Sequence, residues 1–193
     1  MPEDAISRFW AAFCAACGIP EDTPYEAWAF GDDPDGLAAL VLSGDKRATA
    51  SAYPLYALEN EPLPEAGDYS VLLDGAERPL CVIRNTAVRV IPFDRVTAEH
   101  AFLEGEGDKS LAYWRAVHEA FFTKELTQAG LVFDSACRWY VKGLRSFIRA
   151  EDELNHTVTC NKRPEGKSLP ALQISLSNAV FSAKLVLHAE LTV

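Results

Sequence analysis

The fold prediction for this chain starts from the stretch Leu40-Val41-Leu42-Ser43-Gly44-Asp45-Lys46-Arg47-Ala48-Thr49-Ala50-Ser51. Apolar residues at helical spacing lead up to Gly44, which suits the positive φ that commonly ends a helix. Beyond Gly44 the pattern changes to alternation, with Thr49 and Ser51 on one side of an extended strand and alanines on the other. The stretch therefore predicts a helix, a glycine turn and a short strand.

Lys46 lies between this turn and the hydroxyl of Thr49. A lysine that is removed from water can lose its proton and serve as a base, which would activate a nearby hydroxyl. Lysines that follow a helix-ending glycine are, however, commonly solvated. The stretch alone leaves both interpretations open.

Length and composition indicate a globular protein. The 193 residues can bury a core and predict one domain with additional terminal segments. Apolar residues make up 49% and charged residues 24%, which is ordinary for such a domain. No apolar run approaches the roughly 20 residues that cross a bilayer, and Glu3 and Asp4 argue against a signal peptide. We therefore expect a cytoplasmic location and no membrane partner.

The formal net charge is −10, with the acidic excess in residues 1–141 and a weakly basic segment in 142–193. Proteins that hold long nucleic acids neutralise phosphates with cationic side chains. The main body lacks that general electrostatic character. A local basic groove remains an alternative, formed by Lys46, Arg47, Arg84 and Arg89.

Two patterns raise the question of a metal. Cys14 and Cys17 have the spacing of a zinc or redox pair, but no second pair or histidine motif accompanies them. Both cysteines lie on the apolar face of a predicted helix, so we interpret them as buried small residues. The acids around Glu104 could suit a hard cation, but no matching ligand spacing supports it. We expect no metal and no other cofactor.

Periodicity along the chain predicts an α+β fold. Amphipathic helices are expected at 3–17, 37–42, from Thr97 and over 110–129, with Gly18 and Gly130 as ends. Short strands are expected at 46–51, 69–74, 79–84 and 86–93, with a tight turn at Asp74-Gly75. Repeated short strands joined by tight turns indicate a small β-barrel flanked by helices, with the first helix packed on its outside.

Several linked blocks resemble the ASCH domains, a family of PUA-like β-barrels, and in particular its larger bacterial branch. The blocks are Trp28-x-Phe30-Gly31-Asp32, Leu40-Val41-Leu42-Ser43-Gly44-x-Lys46-x-Ala48-Thr49, Leu63-Pro64-x-x-Gly67-Asp68, Val90-x-Pro92-Phe93-Asp94-x-Val96 and Glu104-Gly105-Glu106-Gly107-Asp108-x-Ser110-Leu111-x-Tyr113-Trp114. The resemblance implies a helix and linker at 1–25, an ASCH domain at 26–141, and a C-terminal segment of uncertain order at 142–193.

The resemblance also implies a reaction. Some bacterial ASCH proteins remove the acetyl group from N4-acetylcytidine, with a lysine base and a threonine nucleophile in a Gly-x-Lys-x-x-Thr motif. Those positions are Lys46 and Thr49 here, and the catalytic glutamate of the family corresponds to Glu104. A neutral Lys46 would take the proton of Thr49. An ionised Glu104 beside it would raise the pKa of Lys46 and oppose that role.

The remaining expectations concern the ligand, a small modified nucleoside or a short single-stranded RNA. We assign substrate contacts to aromatic, hydroxyl and cationic side chains near the triad: Trp28, Phe30, Arg47, Ser51, Tyr53 and Trp114. Trp28 and Phe30 have an equally open interpretation as core aromatics. Other ASCH proteins are reported to cut RNA, so an RNA-binding or ribonuclease domain and a non-catalytic sensing module remain alternatives to the amidohydrolase. The sequence does not predict an oligomeric state.

Overall fold

The computed structural model of the protein describes residues 5–136 and 138–149. Their α-helices are α1 (Ala5–Cys17), α2 (Pro34–Ser43), α3 (Tyr53–Leu58), α4 (Ala98–Glu104) and α5 (Leu111–Gln128), and a 3-10 helix spans Phe93–Arg95. Their strands are β1 (Tyr25–Ala29), β2 (Ala48–Ala52), β3 (Tyr69–Leu73), β4 (Pro79–Pro92) and β5 (Arg138–Arg149). The predicted α+β class is confirmed. None of these helices has the length and apolar character that a membrane span requires.

The five strands form one mixed sheet in the order β1-β3-β4-β5-β2. β1 pairs parallel to β3, and the other neighbours are antiparallel. Over the described residues the sheet is not closed into the predicted barrel, because β1 and β2 lie at opposite edges. The two strands predicted at 79–84 and 86–93 are one long strand, β4, with an irregular register between Asn85 and Ala87.

The predicted N-terminal amphipathic helix is confirmed as α1. The buried face of α1 packs on one side of the sheet against Val71, Leu73 and Val82. This face consists of Phe9, Trp10, Phe13, Cys14 and Cys17. Both cysteines are buried free thiols. Leu72 and Ile83 point to the opposite side, where α2 packs. Alternation along β3 and β4 thus places α1 and α2 on opposite faces of the sheet.

Side chains cap the starts of three helices; the starts predicted at Thr97 and Ser110 agree with the structure, whereas α2 begins at Pro34 rather than at Leu37. Asp33 accepts a hydrogen bond from the backbone N–H of Gly36 at the start of α2. Thr97 and Ser110 cap α4 and α5 in the same way. α4 and α5 then pack with α3 and β2 in a third apolar cluster around Phe93, Trp114, Phe122 and Leu126.

β5 continues past position 141, where we expected the ASCH domain to end. It pairs with β4 along much of its length and with β2, reaching Arg149 opposite Cys81. The rest of the C-terminal segment, residues 150–193, lies outside the described residues.

Candidate functional site

Two backbone hydrogen bonds bring the start of β2 against the ends of α2 and α4. The N–H of Lys46 donates to Leu40 O at 2.9 Å, and the N–H of Arg47 donates to Leu103 O at 2.8 Å. The first bond ties the segment to α2, and the second ties it to the last turn of α4. The side chains of Lys46 and Glu104 therefore meet in the interior.

The ammonium of Lys46 is shared between two glutamates. Its Nζ donates to Glu104 Oε2 at 2.6 Å and to Glu106 Oε1 at 2.5 Å. The side chains of Lys46 and Glu104 are 1% and 0% exposed, whereas Glu106 keeps 14% of its side chain accessible. A lysine ammonium has three N–H donors, so one donor is not used by the two carboxylates.

The other oxygen of Glu104 is held by two ring donors. Oε1 accepts from Trp114 Nε1 at 2.9 Å and from His100 Nε2 at 2.9 Å. A buried carboxylate with hydrogen bonds on both oxygens has little freedom to rotate or to lose its charge. Glu104 is therefore fixed as an anion beneath the site.

Two glycines set the position of Glu106 between them. Gly105 has φ +75°, and a Cβ there would lie 2.5 Å from the backbone oxygen of Asp45. Gly107 has φ +52°, and a Cβ there would lie 2.4 Å from the ring of Tyr113. Both sites require the left-handed backbone and the close approach that glycine permits. The two glycines thus allow the loop to bring the Glu106 side chain into contact with Lys46.

Charge, more than burial, sets the protonation of this cluster. Burial lowers the pKa of Lys46, but Glu104 and Glu106 outweigh it, so the pKa is raised above its ordinary value. Burial likewise raises the pKa of Glu104, but the Lys46 ammonium and the hydrogen bond from His100 hold it well below its ordinary value. Lys46 and Glu104 are both charged at neutral pH. The raised pKa of Lys46 argues against its acting as a neutral base in the unliganded protein.

A cavity of about 930 Å³ lies beside the cluster, between α2 and α5. Thr49, Glu106 and His118 line it, and apolar side chains of both helices form its walls, among them Leu37, Leu40, Val117 and Phe121. Lys46 directs its two side-chain hydrogen bonds to the glutamates, and none to Thr49. Thr49 therefore faces the cavity without a hydrogen bond to the predicted base.

His118 adds a base that the predicted triad did not include. Its Nδ1 lies 2.9 Å from the backbone oxygen of Trp114 and its ring stacks on the Trp114 indole, with centroids 4.2 Å apart. Burial lowers the pKa of His118, although the nearby carboxylates oppose the shift. His118 is therefore neutral at neutral pH. Its Nε2 lies 3.6 Å from Glu104 Oε1.

Two of the predicted substrate-contact residues are near the cluster. Phe30 lines the cavity, and Lys46 Nζ lies 5.4 Å from its ring centroid. Trp114 is buried and contacts Glu104 and His118 rather than the cavity. Trp114 therefore supports the charged cluster from below the cavity lining.

The other four lie outside the cavity lining. Trp28 is buried in the α2-side core with Phe30, and within residues 5–136 its Nε1 has no hydrogen-bond partner. Arg47 is exposed, and Ser51 is buried with its Oγ 2.9 Å from Tyr56 Oη. Tyr53 lines a separate cavity near α3.

Sequence reasoning missed Glu106 and His118 as members of the site. Glu106 carried a usable signal, because glycines flank it and such pairs mark a backbone that approaches another segment closely. His118 follows Trp114 by one helical turn, which is compatible with an ordinary packed histidine. Its role is visible only once the partner of each ring nitrogen is known.

Glu104, Glu106 and His118 form the group that could bind a metal ion among the residues searched, with ligand atoms within 4.8 Å of one another. A metal would compete with the Lys46 ammonium, which already lies between the two carboxylates. It would also have to displace the donors on Glu104 Oε1.

The fold and this cluster define a class of protein. The ASCH domain family model matches residues 26–141, so the chain belongs to the ASCH domain family. It is similar to the crystal structure of an ASCH domain from Lactobacillus crispatus JV V101, at 27% identity over 76% of this chain and 96% of that one, with a TM-score of 0.67.

The chain is also similar to the crystal structure of protein EF3133 from Enterococcus faecalis V583. The identity is 29% over 82% of this chain and 98% of that one, with a TM-score of 0.70. Among curated proteins no match was found.

Proposed function

We propose that this ASCH domain protein is a nucleoside-directed amidohydrolase that cleaves an N4-acylated cytidine such as N4-acetylcytidine. The observation that supports this most is the Lys46 ammonium shared by Glu104 and Glu106 beside a cavity that Thr49 lines. An amide carbonyl in that cavity would meet a hydroxyl nucleophile, a carboxylate and a buried positive charge. These are the groups that acyl transfer through an alcohol requires.

The protonation states support catalytic roles that differ from the sequence-based expectation. Thr49 Oγ1 attacks the acyl carbon, and Glu106 takes the hydroxyl proton. The third N–H of Lys46 stabilises the oxyanion that forms, while Glu104 holds Lys46 in its charged state. The C–N bond then breaks, and Glu106 returns the proton to the leaving exocyclic nitrogen. Glu106 then deprotonates a water molecule that attacks the ester carbon, and as the bond to Thr49 Oγ1 breaks Glu106 returns this proton to that oxygen and the acid is released.

The charge of the cavity favours a neutral ligand over a phosphate chain. Its lining includes the carboxylates of Glu106, Asp32 and Asp33 against the ammonium of Lys124, which pairs with Asp32. Bringing RNA phosphates next to these carboxylates would cost free energy through like-charge repulsion. A nucleoside carries no phosphate.

The test is a turnover screen of N4-acetylcytidine, other N4-acylated cytidines and short single-stranded RNA. We expect deacylation by the wild-type protein, loss of turnover with retained binding in Thr49→Ala, and unchanged turnover in Thr123→Ala. Thr123 is an exposed threonine on α5 and provides a matched control. Cleavage of the RNA would support the ribonuclease alternative, and ligand binding without any product would support the sensing module.

A further inference from the structure

The hydrogen bonds of His118 determine which of its nitrogens carries the proton. A backbone carbonyl can only accept, so the Nδ1 that lies 2.9 Å from Trp114 O must carry the hydrogen. The neutral ring then has no proton on Nε2. Nε2 cannot donate to Glu104, and its 3.6 Å separation from Glu104 Oε1 joins two acceptors.

The neighbours of this nitrogen are acceptors as well. Glu104 Oε1 is satisfied by Trp114 and His100. Glu106 uses Oε1 for Lys46, and across the part of the chain with described side chains its other oxygen has no hydrogen-bond partner. Carboxylate oxygens of these two residues and a ring nitrogen of His118 lie within 4.8 Å of one another. This end of the cavity thus offers lone pairs from both His118 and Glu106.

A cavity wall made of hydrogen-bond acceptors favours ligands that carry hydrogen-bond donors. A ligand N–H placed against His118 Nε2 would give a buried acceptor its missing hydrogen bond, whereas a methyl group there would leave it unpaired. The stacked Trp114 ring and the Nδ1 hydrogen bond hold the imidazole in one orientation. Rigid acceptors of this kind discriminate strongly between ligands that do and do not carry the hydrogen.

We infer that His118 Nε2 is a specificity determinant that accepts the amide N–H of the substrate, so that the protein acts on secondary amides and discriminates against N-alkylated ones. This inference rests on the proposed amide hydrolysis and names the part of the substrate that the site reads. His118 recognises the leaving nitrogen through its N–H, while Thr49, Glu106 and Lys46 act on the acyl group.

The experiment compares N4-acetylcytidine with its N4-methyl derivative, which lacks the amide hydrogen. We expect kcat/KM of the wild-type protein to be about tenfold or more higher for the secondary amide. In His118→Phe, which keeps a ring for Trp114 to stack on, the ratio of the two kcat/KM values should fall to about one. In His118→Gln, whose amide oxygen can accept the same hydrogen bond, part of the preference should return.

The outcomes separate this inference from the proposed function. Equal kcat/KM for both amides in the wild type, or a preference that persists in His118→Phe and His118→Gln alike, overturns the inference and leaves the hydrolase. If neither amide is cleaved, the hydrolase is wrong, and calorimetric binding of the two compounds decides the inference. A wild-type binding preference that His118→Phe or His118→Gln alters supports it, and equal or absent binding overturns it.

Discussion

Lys46 and Glu104 lie 58 positions apart in the sequence, yet their side chains meet at 2.6 Å in the interior of the protein. Each depends on the other for its charge, because Glu104 raises the pKa of Lys46 and Lys46 lowers the pKa of Glu104. The pair belongs to the stability of the fold as much as to the chemistry of the site.

Replacing Lys46 with methionine should destabilise the protein strongly. Lys46→Met keeps the side-chain volume but leaves Glu104 and Glu106 without their shared cation. Removing one partner of a buried ion pair costs about 3–5 kcal/mol, because the remaining charge is uncompensated. Urea unfolding followed by tryptophan fluorescence measures this difference in the free energy of unfolding.

Lys109→Met is the matched control for that experiment. Lys109 pairs with Asp45 at 2.7 Å, but both side chains are substantially exposed. Exposed pairs contribute about 1 kcal/mol or less. Similar losses in the two variants would contradict the view that Lys46 is held by burial and two carboxylates.

The effect of Glu104→Gln should depend on pH in a defined direction. The folded pKa of Glu104 is depressed, so its stabilising contribution is present above the unfolded pKa of about 4.3 and is lost as pH falls through the folded value. We expect the variant to be less stable than the wild type by about 3 kcal/mol at pH 7. Denaturation at a series of pH values should show this gap narrowing below about pH 4. A gap that widens in acid would refute the assigned charge state.

Gly105→Ala should cost far more than Gly130→Ala. The two glycines have nearly the same φ, +75° and +74°, but a Cβ at Gly130 meets no atom within 4 Å. Gly130→Ala therefore reports the backbone penalty alone, about 1–2 kcal/mol. Gly105→Ala adds the clash with Asp45 O, for a total of about 2–5 kcal/mol. Thermal unfolding of both variants measures the difference, and equal losses would mean that the loop can move away.

Glu106→Gln should reduce turnover while leaving the fold intact. Under the proposed mechanism Glu106 transfers protons in both half-reactions, and loss of a general base lowers kcat by about 10²–10⁴-fold. KM should change little, because the amide keeps the size of the carboxylate. Glu119→Gln on the exposed face of α5 is the control. A variant as active as wild type would remove Glu106 from the chemistry.

Helices α1, α4 and α5 could be predicted from sequence because their signals are local, whereas α2 begins at Pro34 rather than at the predicted Leu37. Asp33, Thr97 and Ser110 cap the helices that follow them, and Gly44 ends α2 with φ +84°. The apolar face of α1 also follows directly from its periodicity. Side chains within one or two turns of each other determine these features, so no tertiary information is needed.

The sheet and the completed site could not be predicted in the same way. Closure of a barrel depends on which strands become edges, and the parallel pairing of Tyr25 with Tyr69 has no local signature. The tautomer of His118 depends on the Trp114 carbonyl, which accepts the hydrogen of its Nδ1. The charge of Lys46 depends on two distant carboxylates, Glu104 and Glu106, and Glu106 reaches it through a glycine-flanked loop 60 positions later.

The cavity between α2 and α5 is lined from both halves of the chain, with Leu37 and Thr49 on one side and Glu106 and Phe121 on the other. A compound that occupies it binds only the folded protein and so stabilises that state by mass action, by about 2.7 kcal/mol at a hundredfold excess over Kd. Melting-temperature screens of metabolite libraries can therefore find its natural ligand before any reaction is observed.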